Sequence, residues 1–493
     1  VEKISMKKLN ETRLSDHSGC DVSPGVAVGR RAALADMGLS LGGIALASLF
    51  GGGSQVRAAA PAVNPLAPRP SHFAPRAKSV ILLFASGGVS QLDVFDPKPT
   101  LVAHDGKPVP EELVKGQRFA FISGRPNLLA SPYRFARHGA SGMEFSELLP
   151  NLARVADKSL VIRSMHTTNV NHMPAQFMFA TGHELPGRPS MGAWVVYGLG
   201  CETSDLPAFV QLSSGIGSKS KRLAGNGFLP GVYQGVGFQS GGTPIFHLAD
   251  PPGVSRADRR ASLDVINGLN AERMAVVGDP EIAARIAQYE MAFRMQATAP
   301  ELIDLTGESP ATLASYGAEP GKASLAANLL LARRLVERGV RFVQLIDGDW
   351  DHHSKLYSDL PKKCGEMDRG LAALVEDLEQ RGLLDETLVI WAGEFGRTPM
   401  LEGNPDRKLV GRDHHKDAFT IWMAGGGLKR GLTYGATCEL GYRIAENPVA
   451  VHDLQATILH LLGLRHESLT FRFQGRDFRL TDVHGEVVKG ILA

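Results

Sequence analysis

The sequence predicts an α/β protein: a doubly wound, mainly parallel sheet flanked by helices, with an inserted loop-rich and helical cap. Two observations predict it. Six short apolar runs lack the in–out alternation of a half-exposed strand, as strands covered on both faces do. Between several of them lie segments whose apolar residues recur at helical spacing, and strand–helix alternation builds a parallel sheet. A third observation concerns function. The polar clusters follow the carboxyl ends of the runs, where open α/β sheets place their sites.

The runs come in order as KSVILLFASGG (78–88), KSLVIRSMHTT (158–168), LPAFVQLSS (206–214), GVRFVQLID (339–347), ETLVIWAGE (386–394) and AFTIWMAGGG (418–427). Ala323 to Arg338 places Leu325, Leu329, Ala332 and Val336 on one helical stripe. Met367, Leu371, Leu374, Val375 and Leu378 form the next, and Gly339 and Gly382 are helix stops. Residues 215–320 break the rhythm. A glycine-rich stretch is followed by two helical segments near 254–272 and 280–297, an insertion expected to act as a lid.

The N-terminal segment reads as an export signal. Arg30-Arg31 precede an apolar run from Met37 to Phe50, 14 residues and too short to span a bilayer. APA ending at Ala62 suits a small-residue cleavage site, and the arginine pair resembles a twin-arginine signal. Residues 1–62 are thus the expected signal, 63–77 a Pro/Ala-rich linker, and 78–493 the domain, exported to the periplasm or cell surface by the twin-arginine machinery. Without residues 1–62 the chain carries 46 basic and 46 acidic residues, which argues against a nucleic-acid partner. Cys20, Cys201, Cys364 and Cys438 form no CxxC pair and read as free thiols rather than a disulfide framework.

Candidate chemistry sits in three clusters. IDGDWDHHSK places Asp347, Asp349, Asp351, His352 and His353 within seven residues. Carboxylates so close need a cation or an open, solvated loop, and Asp with His suits a divalent metal such as zinc, manganese or iron. After the fifth run come Glu394 and Arg397, then GRDHHKD with Arg412, Asp413, His414 and His415. Asp413 and His414 are candidates for the same cation. Arg397 or Arg412 is a candidate for two-pronged anion binding, and His415 is placed either beside the site or on the surface. In NHMPAQFMFATGHE, Pro174 fits a first helical turn with Asn171 or His172 at the cap. His172 then faces an anion or the metal, because a helix start offers free N–H groups. Ser86, Ser90, Asp93 and Asp96 follow the first run. In VHDLQATILHLLGL, Asp453 reads as an N-cap and His452 as structural. No GxGxxG opens a helix after the first run, which argues against a dinucleotide enzyme.

GGVSQLDVFDPKP, NHMPAQFMFATGHE, DWDHH, GEFGRTP, GRDHH and HDLQATILHLLG together resemble the family called domain of unknown function 1501, from about Lys78 to Phe478. The resemblance implies an exported bacterial protein with an alkaline phosphatase/sulfatase-like fold and a two-metal site that acts on phosphate or sulfate esters. By that analogy Asp351 and His353 are metal ligands, with Asp349 and His353 as the alternative pair. Glu394 takes the place of an Asp-His ligand pair, with Phe395 in the histidine position, and His414 with Asp413 supplies the replacement. His172 falls at the nucleophile position, with Thr167 and Thr168 just before it. Ser86 stands where a metal-binding Asp is usual, and Asp93 compensates. The implied function is metal-dependent hydrolysis of a sulfate or phosphate ester on a small molecule or glycan. His172 serves as nucleophile, ligand or general acid, and Arg412 or Arg397 neutralises charge. Zinc, manganese, iron and calcium are not distinguished. The alternative is a non-catalytic, metal-stabilised binder of an anionic glycan or surface polymer.

Overall fold

The computed structural model describes residues 64–117, 119–214, 222–238, 250, 253–403 and 409–493. The expected signal segment, with Arg30-Arg31 and Cys20, lies outside them, as do 215–221 and 239–249 of the expected insertion.

Nine strands form the central sheet: β1 (Ser79–Ala85), β2 (Ser159–His166), β3 (Phe209–Ser214), β4 (Val236–Phe238), β5 (Phe342–Asp347), β6 (Thr387–Ala392), β7 (Phe419–Gly425), β8 (Leu432–Tyr434) and β9 (Val449–Ala450). Their order is β8-β2-β7-β6-β1-β5-β3-β4, with β9 also pairing on β2. All six expected runs are strands of this sheet. Every pairing is parallel except those of β7, which runs antiparallel to both β2 and β6. Parallel neighbours need a crossover, usually a helix. Among the described residues between β6 and β7 there is no helix, and β7 returns from the edge at which β6 ended.

The sheet is covered on both faces, and β1 shows why its sequence does not alternate. Ile81, Leu83 and Ala85 pack into one apolar cluster, Val80, Leu82 and Phe84 into another. The principal helices are α1 (His172–Thr181), α2 (Met191–Leu199), α3 (Arg256–Val277), α4 (Pro280–Ile303), α5 (Leu325–Glu337), α6 (Leu356–Gln380) and α7 (Val451–Leu461). Helices α5 and α6 supply the first cluster, and α1, α2 and α7 the second. Ser324 caps α5 by accepting from Ala327 N–H. Leu325, Leu329, Ala332 and Val336 are all buried. Each fully buried leucine contributes roughly 1.5–3 kcal/mol, more than any one cap, so the stripe fixes which side of α5 meets the sheet.

The Pro/Ala-rich segment 64–77 is docked on the domain. Arg69 N–H donates to Leu199 O, His72 N–H to Gly463 O and Arg76 N–H to Leu461 O. Helix α7 starts two residues before Asp453, with Ala450 as its N-cap. Asp453 is therefore not the cap. Its carboxylate accepts from Ala450 N–H in the first turn.

Helices α3 and α4 form the helical part of the insertion. Ser255 and Asp258 make a capping box on α3. The pair packs beside the amino-terminal approaches of β3 and β5: Thr298 donates to Asp205 O, and Arg338 donates to Glu301. This is the sheet edge opposite the polar clusters.

Candidate metal centre

Four loops at one edge of the sheet build the centre, following β1, β2, β5 and β6. After β1 the chain turns at Gly87 (φ +125°) and Gly88 (φ +81°). A Cβ on Gly87 would lie 2.5 Å from Asp351 N, so only glycine lets this turn lean on the loop after β5. That loop is shaped by Asp347, which is buried and accepts from Trp350 Nε1 at 2.8 Å. Asp349 takes a left-handed conformation (φ +66°) and is exposed, and beyond it Asp351 and His353 bring donor atoms to the centre. After β2, Asn171 caps α1, and His172 and Pro174 occupy its first turn. After β6, Gly396–Arg397 pairs antiparallel with His414–His415, which returns His414 to the centre.

His172, Asp351, His353 and His414 each present one donor atom, and these atoms all lie within 4.8 Å of one another. His353 Nε2 is 2.8 Å from Asp351 Oδ1, and His414 Nε2 is 3.2 Å from the same oxygen. His172 Nε2 is 3.0 Å from Asp351 Oδ2. The other nitrogen of each ring meets an acceptor: Glu394 Oε1 at 2.8 Å for His172, Glu402 Oε2 at 2.7 Å for His353, and Val170 O at 2.6 Å for His414. Carboxylates and carbonyls only accept, so each Nδ1 carries a proton and each Nε2 is turned to the centre. Holding the remote nitrogen in this way is how proteins orient metal-binding histidines.

The donor set fits a divalent cation. His353 Nε2 and His414 Nε2 stand 2.9 Å apart, close for two lone pairs and natural for two ligands each about 2 Å from a shared ion. Three imidazoles and one carboxylate suit zinc, manganese or iron, whereas calcium and magnesium prefer oxygen. In the ion-free protein, protons fill the role. Burial opposes protonation of His172, but hydrogen bonds to Asp351 and Glu394 lift it to about 9. His353 is lifted to about 9 against burial by Asp351 and Glu402. Burial, with repulsion from Arg397 and His172, pushes His414 down. Burial would raise Asp351, but its bonds from three histidines and the Arg397 charge hold it far below the carboxylate range.

A family match decides the chain's kinship: the family described as Protein of unknown function (DUF1501) spans residues 77–492. The chain belongs to the DUF1501 family. Comparison with curated protein sequences gives no match. Among solved structures, the chain is similar to Ps i-CgsB in complex with k-i-k-neocarrahexaose, at 11% identity over 78% of this chain and 72% of that one, TM-score 0.34. It is similar to the PsFucS1 sulfatase from Pseudoalteromonas sp., at 12% identity over 80% and 69%, TM-score 0.32. It is also similar to the alkaline phosphatase of the Antarctic bacterium TAB5, at 9% identity over 79% and 99%, TM-score 0.29.

In this DUF1501 chain the remaining candidate residues are arranged around that quartet. Glu394 is fully buried and holds His172, with Gln176 Nε2 (3.0 Å) and Gly87 N–H (3.0 Å) as its other donors. Arg397 is buried beneath Asp351, 2.5 Å from Oδ1, and also donates to the carbonyls of Gly87, Gly88 and Arg412. Arg412 and Asp93 pair at 2.9 Å, both side chains fully buried, and Ser90 donates to the same carboxylate. Neither guanidinium is free to grip an anion, and Asp93 is spent on Arg412 instead of a metal. Asp349 lies outside this grouping, and Asp351 is the aspartate that joins His353. Asp413 belongs to a second grouping with His353 and Glu402. Its oxygens already accept from Phe121, Ile122 and His414 N–H, at 2.7–2.9 Å. His415 is buried, not on the surface, and meets Tyr442 O at 2.6 Å. His452 meets Gly182 O at 3.0 Å, a structural contact.

Sequence reasoning missed Glu402 and Gln176. Gln176 was readable: it stands four residues after His172 on one helix and so shares its face. Glu402 carried no spacing signal, because a strand pairing across a loop sets its distance from His353. Ser86 is half-buried and its Oγ accepts from Gln176, Thr167 is buried, and Thr168 is exposed.

Proposed function

We propose that the protein is an exported, metal-dependent hydrolase of a sulfate or phosphate ester on a small molecule or glycan. One divalent ion is held by His172, Asp351, His353 and His414. The observation that supports this is the convergence of three Nε2 atoms on one carboxylate, with every Nδ1 tied to an acceptor. Bound there, the ion supplies Lewis acidity and lowers the pKa of water.

The chain's own residues orient and open the site. The side chains of Asp351, His172 and His353 are 38%, 29% and 25% exposed, whereas that of His414 is 3% exposed. Solvent and substrate therefore approach from one side. His172 acts as a ligand and not as a nucleophile, because one nitrogen is donated to Glu394 and the other faces Asp351. The start of α1 has no side-chain cap bond, so the N–H groups of His172 and Met173 face the approaching anion. Water, not a side chain, attacks the ester. The ester class rests on the motif resemblance, and export rests on the Arg30-Arg31 segment. Among the described residues no helix is long and apolar enough to cross a membrane.

A second reading, a metal-stabilised binder of an anionic glycan, is favoured by the burial of Arg397 and Arg412 in internal contacts. Both readings are tested together. Protein purified without chelator is analysed for metals and assayed with aryl sulfate and aryl phosphate. Stoichiometric zinc, manganese or iron, with turnover lost in His414→Ala, supports the hydrolase. Bound metal without turnover of either ester supports the binder. Folded protein that takes up no metal refutes both.

A further inference from the structure

Phe121 stands beside the metal centre and holds none of it. Its ring meets the His353 ring edge-to-face, 4.5 Å between centroids, and the His414 ring at 5.6 Å. Both histidines present a donor atom to the centre, so the phenyl lies in the layer of side chains next to the ion. Yet Phe121 is 62% exposed, and no other phenylalanine among the described residues is exposed. Its neighbours in the chain behave otherwise. Phe119 and Ile122 pack against a small apolar cluster that contains Leu128 and Met400. Burial of a large apolar side chain is favourable, and at this one position the chain forgoes it.

The exposed ring is held in place by Asp413. This carboxylate is fully buried. One oxygen accepts from Phe121 N–H at 2.8 Å and Ile122 N–H at 2.9 Å, the other from His414 N–H at 2.7 Å. A single buried charge thus ties the backbone of the phenylalanine to the backbone of a ligand. Leu129 N–H donates to Pro399 O and Leu401 N–H to Asn127 O, which fastens the same segment to the chain after β6. A surface fixed before its ligand arrives costs little to order on binding. The nearby charges are spent internally: Asp413 on these N–H groups, Glu402 on His353, and Arg397 and Arg412 in buried contacts. Phe121 therefore offers an incoming molecule an uncharged flat surface. His353, which it touches, is among the ligands partly open to solvent, so an ester anchored at the ion brings the group it carries past this ring.

We propose that Phe121 selects esters of a ring-bearing alcohol, its phenyl stacking on the flat apolar face of a pyranose or aryl ring whose sulfate or phosphate sits at the ion. The inference rests on the hydrolase reading and names the substrate class of that site. The test titrates the protein at saturating zinc, by calorimetry, with phenylphosphonate, cyclohexylphosphonate and methylphosphonate. These present one anion and differ only in the group behind it; the matching sulfonates repeat the series. The wild type is expected to bind a ring compound about tenfold more tightly than the methyl compound. Phe121→Ala brings that ratio to about one, and Phe121→Tyr keeps it. Zinc content and thermal melting are measured on each variant. A gain shared by the cyclohexyl compound assigns the ring to a sugar, and a gain for phenyl alone assigns it to an aryl group. A wild type without ring preference, or a preference that survives in Phe121→Ala, overturns the proposal and leaves the hydrolase reading standing. Phe121→Ala that loses zinc but keeps the preference once reloaded makes the ring a shield for the histidines, and also overturns it. Zinc-bound protein that takes up none of these anions sinks the hydrolase reading and this inference with it.

Discussion

Glu402 gives the sharpest test of the metal centre, because it touches one ligand and nothing of the reaction. Its Oε2 lies 2.7 Å from His353 Nδ1, and its side chain is 12% exposed, so water replaces it poorly. Glu402→Ala removes the acceptor that fixes the ring's tautomer and rotation. Loss of such a supporting contact costs about 10- to 100-fold in metal affinity, about 1.4–2.8 kcal/mol at a tenfold per 1.4 kcal/mol. Glu402→Gln retains a carbonyl acceptor but loses the charge, and is expected near the lower end. His353→Ala removes the ligand itself and is expected to lose more than either. The assay is competition for zinc against a fluorescent chelator at fixed pH and salt, with thermal melting as a check on folding. Equal affinity in wild type and Glu402→Ala would refute the assignment of His353 Nε2 to the ion. A loss in Glu402→Ala that matches a loss of folding would refute the positioning role.

Three further outcomes are expected. Arg412→Ala leaves Asp93 charged and alone in a fully buried site, so urea unfolding should show a loss of about 3–5 kcal/mol; a near-neutral effect would return Arg412 to the role of anion binder. Gly88→Ala forces a side chain onto φ +81° and sets its Cβ 2.7 Å from the Phe395 ring. That ring packs on His172 and His414, so the variant should lose more than about 1 kcal/mol and bind zinc more weakly, and unchanged melting would refute the strain. Cys201 and Cys364 are buried with thiols pushed up by burial, whereas Cys438 is half-buried. A thiol reagent at pH 8 should modify Cys438 in the folded protein and reach the other two only after unfolding; fast labelling of Cys364 would contradict its burial.

The strands were legible because a doubly covered strand needs apolar residues on both sides, and β1 and β6 show that without ambiguity. The edge that holds the site was legible for the same reason, since DWDHH and GEFGR follow strand ends directly. The direction of β7 was also written in the chain, in the absence of any helical stripe between residues 393 and 418, but a strand reading based on composition passes over it. The pairing of Arg412 with Asp93 was not legible. The two are 319 positions apart, and each alone resembles a functional residue equally well. Burial separates the cases: a charge sealed from water must be answered at once by its opposite, and that answer is a property of the fold. Asp349 and Asp351 are equally good candidates by spacing, and only the fold sets Asp351 in the histidine grouping and leaves Asp349, at φ +66°, outside it.

The excursion between β6 and β7 leaves and re-enters the sheet at a single edge, and Glu402 N–H donates to Gly411 O to close its neck. The residues that matter for the ion, Glu394, Arg397, Glu402 and His414, all sit at or below that clasp. The clasp also leans on the loop after β5, since Leu356 N–H donates to Val410 O and a Cβ on Gly411 would lie 2.0 Å from His353 C, so a side chain placed there would be felt first by His353.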